Sequence, residues 1–228
     1  MPLASLVSIV PPPPAAGARN FRLEPPARIT KQIRWDTAVE VGAFTMLHGP
    51  GEIVCASIGR YCSIAPGVVI GANEHAMEWL TTSSLAENPN LFGWHRALAG
   101  EEGPARNFAG SLRPIKIGND VWIGQNAFIR GGVTIGDGAV IGGMSNVIQS
   151  VPPYAIVAGN PARIIRYRFD GPTIARLCAS SWWRYSLVDL QRFDLSDPLR
   201  ALDEIDKAIE ECRLREYNPG WLTVADLL

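Results

Sequence analysis

A parallel β-helix with a helical tail is the fold this sequence predicts, and three observations predict it. From Ile117 the chain runs through six consecutive six-residue units, IGNDVW, IGQNAF, IRGGVT, IGDGAV, IGGMSN and VIQSVP, without a slip. An earlier block repeats less regularly: Val41, Leu47 and Ile53 stand six apart, and Ile58, Ile64 and Ile70 resume the spacing after a five-residue step. Beyond Thr173 the period turns helical, with Ile174, Leu177, Cys178 and Trp182 at i, i+3, i+4 and i+8. A strict short period is the mark of a stacked repeat, and a hexapeptide period is that of a β-helix.

The physical basis lies inside each unit. The first place is aliphatic (Ile117, Ile123, Ile129, Ile135, Ile141, Val147), and the fifth is small or β-branched (Val121, Ala127, Val133, Ala139, Ser145, Val151). Strand side chains alternate faces, so a fifth place and the next first place, two residues apart, point the same way. Between such pairs come turns such as Gly124-Gln125-Asn126 and Gly136-Asp137-Gly138, whose residues reach φ > 0 readily. Each unit is therefore a short strand plus a corner, and three corners close a triangular coil with aliphatic ladders inside. The spacing leaves the hand of the coil open.

In chain order, residues 1–38 read as an N-terminal arm, residues 39–168 as the β-helix, and residues 169–228 as a helical extension. Leu3 to Val10 is apolar but short and follows no Lys or Arg, which argues against a secretion signal; Pro11–Pro14 then favour extended polyproline. The period stops at Gly71-Ala72 and restarts near Ile117, so residues 73–114 form a long inserted loop. Such loops are usually functional or disordered, and two histidines and two tryptophans here argue against plain disorder. Pro152-Pro153 should end the regular coils. Asp197 is a credible N-cap for a second helix from Pro198 to about Arg215, with Leu199, Leu202, Ile205 and Ile209 on one face. A helical cap would shield the open end of the stack.

Composition narrows the function classes. A formal charge of −1 and the lack of an aromatic-basic patch speak against nucleic acid, and no apolar run reaches the ~18 residues of a membrane span. Cys55, Cys62, Cys178 and Cys212 show no metal spacing, and Cys62 holds a fifth place in its unit, as a buried small hydrophobe would. A reduced, cytoplasmic protein fits. Three histidines are present. His75 sits where a coil breaks into the loop, and a neutral imidazole there could take a proton from a hydroxyl or amine; a backbone-bonded loop histidine is the plainer alternative. His95 and His48 read as structural. The three are too far apart in sequence, with no His-x4-His, for the zinc site of the gamma-class carbonic anhydrases, and no metal is expected.

Several of these segments together resemble one family. Ile70-Gly71-Ala72-Asn73-Glu74-His75, the long loop, Ile117-Gly118-Asn119-Asp120-Val121-Trp122-Ile123-Gly124, Ala158-Gly159-Asn160-Pro161-Ala162, Arg168-Phe169-Asp170, and Ile174-Ala175-Arg176-Leu177 followed by Trp182-Trp183 are similar to the xenobiotic (CatB-like) acetyltransferases. The resemblance spans roughly residues 40 to 210. It implies a left-handed coil, a homotrimer with sites between subunits, acetyl-CoA as co-substrate, and direct transfer with His75 as general base. By position it carries the CoA contacts to Gln125, Gly142, Gly143, Gln149, Arg163 and Arg166. Small residues at 142 and 143 would admit the pantetheine, and the two arginines could pair with phosphates or simply rim the fold. A lysine frequent in relatives near the coil end is Gln149 here. After the histidine, Ala76-Met77-Glu78-Trp79-Leu80-Thr81-Thr82-Ser83 departs from the Tyr-Pro-Phe pattern of the antibiotic-modifying members. Trp79 and Trp94 could form an aromatic platform for the acceptor, or pack the loop onto the prism. The expected function is acetyl transfer to a sugar, saccharide or antibiotic hydroxyl; the alternative is a non-catalytic β-helix that serves as a scaffold or binds a small molecule.

Overall fold

The computed structural model describes residues 2–10, 20–110 and 112–227, and it forms a three-faced prism of parallel strands. One face has six strands, the next eight and the third five. The chain crosses them in that order, coil after coil. Phe21–Leu23, Ala27–Ile29 and Gln32–Ile33 make the first coil, and Thr134–Ile135, Val140–Ile141 and Asn146–Val147 the last complete one. Val151 and Ala155–Gly159 begin another, and Ala162–Tyr167 turns back antiparallel to the latter strand to close the eight-stranded face.

The register aligns first places with first places. Ile58 pairs with Ile117 and Ile117 with Ile135; Ile64 with Ile123 and Ile123 with Ile141; Ile70 with Ile129 and Ile129 with Val147. All are at most 2% exposed, and the fifth-place residues from Val121 to Val151 are buried beside them. Each aliphatic side chain removed from water contributes about 1.5–3 kcal/mol, so the ladders drive the stacking. Cys62 is fully buried among them, and burial pushes its thiol up to about 12.

Glycine at the second place serves close approach. A Cβ on Gly42 would lie 2.6 Å from the Gly59 carbonyl carbon, and one on Gly59 would lie 2.6 Å from the Gly118 oxygen. Positive φ belongs to the fourth place instead, at Asp120, Asn126, Gly132, Gly138 and Met144, and at the matching corners Phe44, Tyr61 and Tyr154. Third-place side chains tie the corners together: Asn119 accepts from the Arg60 amide at 2.8 Å, and Asp137 accepts from the Asn119 amide at 2.7 Å.

Two expectations are corrected. The prism starts at Phe21 rather than Val39, because residues 20–38 form its first coil and not a loose arm. Phe21, Leu23, Ile29 and Ile33 are buried inward-facing residues, but corners of unequal length separate them and erase the six-residue period. Val7–Ile9 also pairs with Ala27–Ile29, so the start of the chain extends the eight-stranded face. The polyproline expectation for Pro11–Pro14 lies outside the described residues.

The helical extension, in turn, is laid along one edge of the prism rather than over an open end. Within the inserted loop α1 is Trp94–Ala99; α2 is Gly171–Ser180, α3 Leu187–Leu190 and α4 Pro198–Glu210. Asp170 and Asp197 cap α2 and α4 by accepting from the Thr173 and Arg200 amides. Leu177 and Leu202 pack on Tyr154 of the last coil, Tyr61 donates to the Tyr185 carbonyl at 2.7 Å, and Tyr217 donates to the Pro25 carbonyl at 3.0 Å. Leu222–Thr223 finally pairs antiparallel with Phe21–Leu23, so the strap runs the length of the edge. α2 ends at Ser181 (φ 47°), so Trp182 and Trp183 leave the helix, and α4 buries Ala201, Leu202, Ile205 and Ala208 while Leu199 and Ile209 stay exposed.

Inside the first coils, Lys31 is 1% exposed and donates to the carbonyls of Pro50, Ala65 and Val68 at 2.9–3.3 Å. Burial lowers its amine to about 8 from the ordinary 10.5. Between those values the unfolded chain binds the proton that the folded chain has released, so this group adds stability as pH rises from about 8 to 10.5. The melting temperature of wild type relative to Lys31→Met should therefore increase across that window; a difference that stays flat would contradict it.

Candidate active site

The three edges of the prism carry different chemistry. On the edge between the five- and six-stranded faces, the loop leaves the third coil at Gly71 and returns at Ile115. Two arginines from other coils hold its first residues. Arg130, at the same edge of the fourth coil, donates to both Glu74 oxygens at 2.5 and 3.1 Å, and Arg113 lies 3.9 Å from that carboxylate. Arg34, from the first coil, donates to the Asn73 side chain at 2.8 Å. Ala76 is buried, so anchors lie on both sides of His75. The Arg130 hydrogen bonds hold the Glu74 carboxyl below its ordinary value despite some burial cost. His75 itself is exposed, and its imidazole makes no hydrogen bond among the described residues.

The clamp was missed from sequence, although it left a signal. Glycine fills the second place in four of the six repeats, and Arg130 is one of the two departures.

Gln125, Gly142 and Gly143 lie along a different edge, between the eight- and five-stranded faces. The Met144 amide donates to the Gln125 carbonyl at 2.8 Å, which sets one corner on the next. A Cβ on Gly143 would meet that carbonyl at 3.1 Å and one on Gly142 would meet the Ala158 side chain at 3.0 Å, so both glycines serve coil packing as well. The turn at Gly159-Asn160-Pro161 continues this edge, and Arg163 follows it; Arg163 and Arg166 are exposed and face Ala158 and Ile156 in the terminal hairpin. Each donates only to a neighbouring backbone carbonyl, and neither has a carboxylate partner among the described residues. Gln149 stands apart from this group, on the His75 edge, exposed. Within one chain, then, the structure gathers most of the predicted CoA contacts on one edge and leaves His75 on another, with the five-stranded face between.

The loop folds on itself. Asn90 and Gly103 exchange two hydrogen bonds at 2.8 and 2.9 Å, the Arg106 amide donates to the Glu87 carbonyl at 2.6 Å, and His95 Nδ1 lies 2.7 Å from the Glu101 carbonyl oxygen, a structural contact. Trp79 is half-buried edge-on to Phe108 at 6.2 Å, and the exposed Trp94 packs against Phe92 at 5.1 Å. The two tryptophans thus rest on separate partners. Met77, Leu80, Phe92 and Leu98, all in the loop, are large apolar side chains that are each at least 78% exposed. No helix among the described residues is long and apolar enough to cross a membrane.

Residues 114–149 match the family model described as bacterial transferase hexapeptide (six repeats). The chain is 43% identical over 129 residues to a chloramphenicol acetyltransferase of Agrobacterium fabrum, covering 55% of this chain and 58% of that protein. It is 42% identical over 133 residues to a probable macrolide acetyltransferase of Lysinibacillus sphaericus, covering 57% of this chain and 69% of the relative. The chain belongs to the xenobiotic (CatB-like) acetyltransferase family of hexapeptide-repeat proteins. It spans about three fifths of the length of the Agrobacterium relative. A galactoside O-acetyltransferase of Escherichia coli is 55% identical over 110 residues, covering 48% of this chain and 43% of that protein.

The clamp around Glu74 makes a measurable prediction. An exposed ion pair is worth up to about 1 kcal/mol, a factor of about 5 in an opening equilibrium. Arg130→Gln should speed limited proteolysis within residues 73–80 by up to about that factor while the coils stay uncut. Unchanged cleavage there would show that Arg130 does not hold the segment.

Proposed function

We propose that this protein transfers an acetyl group from acetyl-CoA to a hydroxyl of a small-molecule acceptor, with His75 as general base. The observation that carries the reading is a solvent-facing imidazole with no hydrogen-bond partner among the described residues, on a segment clamped at Asn73 and Glu74, in a chain of this acetyltransferase family. His75 takes the proton as the acceptor oxygen attacks the thioester carbonyl; the same imidazolium then returns a proton to the departing thiolate, so no cysteine or serine intermediate is needed.

The CoA contacts are Gln125, Gly142, Gly143 and Gln149, with Arg163 and Arg166 pairing with phosphate groups. Arginines without a carboxylate partner suit that role. Because His75 and most of these residues occupy different edges, the working site is completed by a second copy of the chain, which fits the homotrimer that the family resemblance implies. The exposed apolar side chains of the loop, Met77, Leu80, Phe92 and Leu98, support burial of the loop against that copy. Trp79 and Trp94, both in the loop, contact the acceptor. A sugar hydroxyl is the preferred acceptor and an antibiotic hydroxyl the second, because relatives named for both are found and the Tyr-Pro-Phe segment is missing here.

Thiol release from acetyl-CoA, measured across sugars, aminosugars and antibiotics, tests the reading. His75→Ala should lower turnover at least ~100-fold, the low end of general-base contributions, with its oligomeric state unchanged. Wild-type turnover in that variant would remove His75 from the mechanism. An absence of thiol release with every acceptor, and of any stabilisation by millimolar acetyl-CoA, would favour a non-catalytic β-helix.

A further inference from the structure

On the edge that bears His75, one arginine is left over once the ion pairs are matched. Arg130 occupies both oxygens of Glu74, at 2.5 and 3.1 Å. Arg34 is shared between Asp36, 3.2 Å from its Nε, and the Asn73 side chain. Arg113 stands 3.9 Å from the Glu74 carboxylate, too far for a hydrogen bond, and its side chain donates none among the described residues. Three guanidinium groups thus meet two carboxylates around the segment that presents His75. That is an excess of one positive charge, in a chain whose formal charge is −1.

The fold builds a seat for that arginine. The Gly132 amide donates to the Arg113 carbonyl at 3.2 Å. A Cβ on Gly131 would come within 3.3 Å of the Arg113 Cβ, and one on Gly132 within 3.3 Å of its Cδ, so the aliphatic stem lies on bare backbone. One repeat unit, IRGGVT, therefore supplies both Arg130 to clamp Glu74 and two glycines to bed Arg113. A long side chain bedded in this way has already lost freedom that binding would otherwise remove, while the residue stays exposed. Its planar fork of donors matches the two oxygens of a carboxylate, and charge-assisted pairs of that kind are stronger than neutral hydrogen bonds. The fork reaches Glu74, the residue next to the base, and consecutive Cα atoms are about 3.8 Å apart.

We propose that Arg113 selects an anionic acceptor, a sugar that carries a carboxylate, held by the guanidinium while one of its hydroxyls reaches His75. The inference rests on the acetyl-transfer reading and narrows its acceptor class from sugars in general to acidic ones. A neutral sugar would leave the charge at Arg113 unanswered.

The methyl glycosides of galactose and of galacturonic acid serve as the probe pair, since they differ only in a hydroxymethyl against a carboxylate. With acetyl-CoA and wild type, kcat/KM for the uronate should exceed that for the neutral glycoside roughly 10-fold or more, the worth of one hydrogen bond to a charged group. The preference should shrink as salt is raised from about 0.05 to about 0.5 M, because added ions screen an exposed charge pair. Arg113→Gln should bring the ratio of the two kcat/KM values close to one, whereas a residue that merely supported the loop would lower both and keep the ratio. Arg113→Lys, which keeps the charge and loses the fork, should fall between. In the presence of CoA the uronate should also raise the melting temperature of wild type more than the neutral glycoside does, and Arg113→Gln should erase that difference. Stabilisation by the uronate that depends on Arg113, without thiol release, would count against acetyl transfer and uphold the anion site. The proposal falls if thiol release shows no preference for the uronate, or if natively folded Arg113→Gln and Arg113→Lys both keep the wild-type ratio. It falls equally if the uronate gives neither turnover nor stabilisation.

Discussion

Coils of this prism can stack only where the backbone of one corner sits directly on the backbone of the next. At the edge under the strap that contact leaves no room for a side chain, as the 2.6 Å that a Cβ on Gly59 would leave to Gly118 makes plain. Close approach is what brings the strands into ladder register, and register is what puts Ile58, Ile117 and Ile135 in one column. Burial of those columns then supplies the stabilisation that short strands could not provide singly. Second-place glycine and first-place isoleucine are two halves of one constraint.

That constraint also decides where the fold can carry other chemistry. Inward places are committed to the core, and second places are committed to contact between coils. The fourth place is free to project outward, at the cost of a left-handed backbone. Phe44, Tyr61 and Tyr154 take that conformation on the covered edge and give the strap something to pack on. One departure from the rule has a partner of its own: Arg130 replaces glycine and reaches Glu74. The interruption after Gly71 is likewise not a gap in the prism, since Ile115–Ile117 returns to pair with Ala56–Ile58 as if the loop were absent.

Much of the architecture could be read from residue order, since a hexapeptide rule is local and repeats. The ladder positions, the buried Cys62, the inserted loop and the Asp197 cap were all legible in that way. The first coil was not, because its corners differ in length and Pro25-Pro26 disguises one of them. The burial of Lys31 was not legible either: its acceptors are carbonyls of Pro50, Ala65 and Val68, and a carbonyl leaves no trace in side-chain pattern. Of the site, His75 stood out by its place at the break, while the arginines that clamp its neighbours did not.

The sequence by itself determined the parallel coil, its interior ladders and the place where the repeat yields to a loop, because each depends on residues within one or two turns. Only the tertiary structure decided which edge each group occupies. It set His75 and Gln125 on different edges, drew Arg130 to Glu74 across 56 residues, and brought Tyr61 under Tyr185 across 124. Such pairings depend on how many coils lie between two segments and which corner each one leaves from. That count is a property of the stacked whole, and no short stretch of the chain carries it.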